Sequence, residues 1–73
     1  MDSIPFLHAN QIFNVMFFED LTFTEVRSIL DHLLERNAFD HEVQEIRGQY
    51  LIEAEGCDFK VWVAEMDVII KRD

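Results

Sequence analysis

A chain of 73 residues has room for one core, and a core this small leaves a thin stability margin. Nearly half of the residues are hydrophobic and seven are Phe, which excludes a disordered chain even with 29% charged residues. Fifteen acids against six bases give a net charge of −9, which opposes direct binding to nucleic acid or to an anionic membrane and favours basic surfaces.

Residues 1–10 read as a lead-in: Pro5 interrupts a regular start, and Phe6 and Leu7 are expected to tuck into the core. The opening Met1-Asp2-Ser3-Ile4-Pro5 has neither the basic region nor the apolar stretch of a secretory signal. Gln11 to Phe18 is the first expected strand. Phe13, Val15 and Phe17 lie on one face, and Ile12, Met16 and Phe18 share the other with Asn14, a pattern suited to an inner strand. Helical spacing of Ile12, Phe13, Met16 and Phe17 is the competing reading.

Leu21 to Arg36 is the best-marked element. Thr22 and Glu25 form a capping box, and Leu21 and Val26 are placed as a hydrophobic staple. Val26, Ile29, Leu30, Leu33 and Leu34 draw one apolar stripe, with Arg27, Asp31 and Glu35 turned outward. Arg36 suits the dipole at the C-terminal end, and Asn37 is the expected stop.

Beyond the helix the period changes to two. Ile46, Gly48, Tyr50, Ile52 and Ala54 alternate with polar neighbours and Leu51, with Gly48 expected as a bulge or close approach and Val43 out of phase. Glu55-Gly56-Cys57-Asp58 reads as a turn, and Phe59, Val61 and Val63 then alternate with Lys60, Trp62 and Ala64, so the two strands make a hairpin. Glu65-Met66-Asp67 breaks the pattern as a bulge or a second turn before Val68-Ile69-Ile70. The expected fold is a single compact α+β domain over residues 1–73. It has two layers, one amphipathic helix on a three- to four-stranded, mainly antiparallel sheet in the order β-α-β-β, with or without a further strand. One helix cannot cover both sheet faces, so Trp62, Leu51 and part of the Phe17-Phe18 pair fall on an uncovered side.

No equipment for catalysis stands out. Gly48 and Gly56 are the only glycines, too few for a phosphate-cradling loop. Cys57 with His8, His32 or His41 is the sole pair that nucleophilic catalysis could use, and a thiol in a turn is more often a small filler. Asp40-His41-Glu42 with Cys57 and Asp58 matches no closed zinc spacing and reads as a solvated loop. Neither a cofactor nor a metal is expected. A single cysteine excludes an intramolecular disulfide and fits a reducing cytoplasm, and no apolar run approaches the length of a membrane span.

The acids Glu42, Glu45, Glu53, Glu55, Asp58, Glu65 and Asp67 fall on a post-helix loop and on hairpin ends. With Trp62 as an aromatic anchor, they are the expected partner-binding residues. Small size, high negative charge and spare apolar surface together are similar in general profile to phage-encoded anti-defence proteins, anti-CRISPR proteins among them, and to immunity proteins that neutralise nucleases. No motif identifies a family. The expected function is a non-enzymatic inhibitor in the cytoplasm, that of the host cell for a phage protein. It would dock on a larger protein with a basic, nucleic-acid-binding surface by charge complementarity, up to mimicry of a nucleic acid. The alternative is a homodimeric structural or adaptor module, joined through the uncovered sheet face or the edge of the last strand.

Overall fold

The computed structural model describes residues 1–39 and 48–73. Among the described residues, five strands and one helix follow one another as β1 (Asp2–His8), β2 (Gln11–Phe17), α1 (Phe23–Glu35), β3 (Gly48–Ala54), β4 (Cys57–Ala64) and β5 (Asp67–Arg72). They form one sheet in the order β1-β2-β5-β4-β3, with α1 packed on one side. The expected helix on a sheet is present; the expected count of three or four strands is corrected to five.

The missed strand is β1. Pro5 interrupts the sequence pattern but not the strand, because it sits where no donor is needed. Its partner across the ladder, Asn14, sends its own N–H the other way, to the Met66 carbonyl at 2.8 Å. An opposed pair whose backbone groups face away from each other leaves Pro5 facing the outer edge of the sheet, where a missing N–H costs nothing. Ile4 and Phe6 then point to the core, while Leu7, expected inside, lies on the opposite face at 70% exposure.

The sheet is mixed. Three pairings are antiparallel, but β2 and β5 run parallel, with Val15 opposite Val68 and Phe17 opposite Ile70. Helix α1 carries the chain back along the sheet, so β3 starts in the direction of β2. Two tight reversals then bring β5 into that direction again. All three hairpin connections, β1–β2, β3–β4 and β4–β5, are two-residue turns. Ala9 and Asn10 both have positive φ, as do Glu55 and Gly56, the signature of the type I′ turn that matches strand twist. Glu65-Met66 is the third turn, with positive φ at Glu65. The second of the two readings of Glu65-Met66-Asp67 therefore applies. The last strand is not an edge: β5 lies between β2 and β4, in keeping with its unbroken run Val68-Ile69-Ile70.

Helix α1 is capped as its sequence demands. Thr22 Oγ1 accepts from the Glu25 N–H at 3.1 Å, and Glu25 Oε1 accepts from the Thr22 N–H at 2.8 Å. At the other end Asn37 takes positive φ, and the N–H groups of Asn37 and Ala38 bond to the carbonyls of Leu34 and Leu33, a Schellman closure. Val26, Ile29, Leu30 and Leu33 enter a core with Phe13, Val15 and Phe17 of β2, Phe59, Val61 and Val63 of β4, and Val68 and Ile70 of β5. Phe39 closes one end, 4.8 Å from the Phe13 ring and 5.2 Å from Phe6. The register of β3 runs one to one from Gly48 to Ala54, so no bulge interrupts it at Gly48 within the described residues. Val43, Ile46 and Arg47 lie outside them. None of the described helices is long and apolar enough to cross a membrane.

Candidate functional site

Strand alternation divides the sheet into two faces. The face under α1 takes Phe13, Val15, Phe17, Ile52, Phe59, Val61, Val63, Val68 and Ile70, all buried. The residues between them form the other face, and no described element covers it. The register aligns Met16, Ile69 and Trp62 in one row across β2, β5 and β4, with Ser3 and Gln49 at its ends. The row on one side sets Leu51 beside Lys60 and Lys71, and two rows away on the other side Leu7 stands opposite Ile12. Ile12 is 65% exposed and Leu51 is 64% exposed, whereas Trp62 is half-buried among its cross-strand neighbours.

Charge on this face is sparse for so acidic a chain. Glu53, Asp58 and Asp67 are balanced in part by Lys60 and Lys71, so most of the net −9 resides elsewhere. Glu53 stands directly opposite Asp58, a like-charge pair that costs stability. The Lys60 ammonium lies 3.4 Å from the Asp73 carboxylate. Asp67 is opposite Ala64, at the far end of β4. Glu55 and Glu65 occupy the turn tips at opposite ends of the sheet, each at a positive φ that a non-glycine residue adopts only at a cost.

The expected site residues therefore divide. Trp62, Glu53, Asp58 and Asp67 share one face. Glu53, Glu55 and Asp58 gather at one end of β4, and Glu65 and Asp67 at the other, about 20 Å away for six residues of strand. Glu42 and Glu45 lie outside the described residues.

A second constellation lies on the helix side, where alternation carries Arg72 in phase with Val68 and Ile70. Its guanidinium donates to both Glu25 oxygens, each at 3.1 Å, and to Asp20 Oδ2 and the Asp20 carbonyl at 3.1 and 3.0 Å. The same group sits 5.1 Å from the Phe59 ring centroid. Arg72, followed by the Thr22 backbone N–H, holds the Glu25 carboxyl below the usual carboxylate range against the opposing effect of desolvation. This node ties the last strand to the first turn of α1, and the carboxylate of the capping box is half of it. An open groove of about 380 Å³ lies between α1 and β1, lined by Ile4, Phe6, Phe23 and Leu30 with Arg27 and Asp31. Among the described residues no three His, Cys, Asp or Glu side chains converge in the way a metal ion requires.

No protein-family model, no curated protein and no solved structure matches this chain.

Proposed function

We propose that this protein is a small non-enzymatic inhibitor that docks its open sheet face on a larger protein with a basic, nucleic-acid-binding surface. The observation that carries this reading is the position of Trp62. It closes an apolar row, Met16–Ile69–Trp62, and acids stand at both ends of its strand. A half-buried indole held by its neighbours loses little freedom on binding, which is the usual character of an interface anchor. The acidic ends would steer it toward a positively charged partner.

The arrangement favours steering over imitation of a nucleic-acid backbone. Lys60 and Lys71 stand between the two acidic groups, so the face presents no unbroken line of negative charge. The host-cell cytoplasm and an anti-defence or nuclease-neutralising role belong to the same proposal. The test is capture of the partner by immobilised protein over a series of salt concentrations. Binding should weaken as salt rises, and Trp62→Ala should cost at least about 2 kcal/mol of affinity, roughly thirtyfold. A captured protein without a basic surface, or affinity indifferent to salt, would count against the proposal.

A further inference from the structure

We propose that the outer edge of β3 pairs with the same edge of a second copy, joining two sheets into one. This inference stands apart from the inhibitor reading and rests on the two free edges of the sheet. At β1, Pro5 removes an outward-facing donor, a common means of preventing edge-to-edge pairing. Strand β3 has no proline, and among the described residues no strand pairs with its outer side.

The direction of its backbone groups follows from the neighbouring strands. The Asp58 carbonyl accepts from the Asp73 N–H at 3.0 Å, so residue 58 of β4 faces β5. Its partner Glu53 consequently turns its N–H and C=O outward, and alternation makes Leu51 and Gln49 do the same. The Leu51 carbonyl confirms the direction by accepting from Arg36 Nη1 at 3.4 Å, from outside the ladder. That contact is long and exposed, and the carbonyl keeps a second lone pair.

A two-fold axis through Leu51 makes this edge self-complementary. Leu51 is the midpoint of Gly48–Ala54, so an antiparallel copy pairs the whole strand, 48 with 54, 49 with 53, 50 with 52 and 51 with itself. The outward-facing residues Gln49, Leu51 and Glu53 fall into the hydrogen-bonded positions. Leu51, exposed in one chain, meets its own copy on the open face, in the row next to that of Trp62. Gln49 meets Glu53, an amide beside a carboxylate, and no like charges are opposed. On the helix side Tyr50 meets Ile52.

The contact is small, so the dimer population should rise visibly with concentration. Each copy carries −9, so added salt should tighten the dimer, the reverse of its effect on a basic partner. The test is sedimentation equilibrium of the full chain over a range of protein and salt concentrations, with three edge variants. Gln49→Glu, at an exposed position, should loosen the dimer and Gln49→Lys should tighten it, each by about three- to tenfold through two symmetric pairs. Leu51→Pro gives β3 the device that β1 already has and should leave a monomer with unchanged circular dichroism; should that variant unfold, the Gln49 pair carries the decision. A monomer at every concentration, or a dimer that none of the folded edge variants alters, would overturn the proposal.

Discussion

Along β4, Phe59, Val61 and Val63 are fully buried, while Lys60, Trp62 and Ala64 between them are only partly so. The same strands build both sheet faces, and the faces differ in what holds them. The covered face is committed to folding: its side chains meet α1 and have few alternatives. The open face keeps apolar residues that the fold does not fully use, and it tolerates a like-charge pair at Glu53 and Asp58. Composition alone does not distinguish these roles; the position of α1 does.

The largest difference between the faces should appear on truncation. Phe13→Ala removes a fully buried ring from the covered face and should cost about 3–5 kcal/mol, much of the total stability of a domain this size. Ile12→Ser on the open face, outside the proposed dimer contact, should stay within about 0.5 kcal/mol. Urea denaturation of both variants measures the contrast, and equal losses would break it.

Next in size is the node that ties α1 to β5. Thr22→Ala should cost about 1 kcal/mol, because it leaves the Glu25 N–H without its cap. The pH dependence has a definite sign. Glu25 is held below its ordinary value of 4.5, so the stability from its ionised form is complete above that value. It is lost as the pH falls through the lower, folded-state value. Glu25→Gln should flatten that part of the acid limb in urea midpoints measured against pH.

Smaller effects should run toward greater stability. Glu65→Gly relieves a positive φ in the β4–β5 turn and should gain about 0.5–1 kcal/mol. Asp58→Asn ends the opposition to Glu53 and should gain about 0.2–1 kcal/mol near neutral pH. If either change also weakens partner binding, the stability given up at that acid has a functional counterpart.

The sequence made some parts of this fold easier to read than others. The α1 caps were legible because both partners of each contact lie within a few residues, as Thr22 and Glu25 do. The faces of β2 and β4 were legible from their period. Strand order was not, because nothing local says that β5 inserts between β2 and β4. Strand β1 was obscured by Pro5, whose tolerance depends on being at an edge that only the assembled sheet defines. Five of the expected partner-binding acids lie on one face or its turn tips, but their division into two ends depends on β4 lying between two reversals. Arg72 carried a signal that could have been read: a charge in the apolar phase of Val68 and Ile70 calls for a partner on the covered side.

The proposed distinction, one face for folding and one for binding, is tested most directly by Trp62→Ala in a single paired measurement of thermal unfolding and partner capture. The expected result is a variant that still folds, with a modestly lower melting temperature from the lost half-buried ring, and capture of the basic partner reduced about thirtyfold or more at every salt concentration. Undiminished capture by a folded Trp62→Ala variant would contradict it.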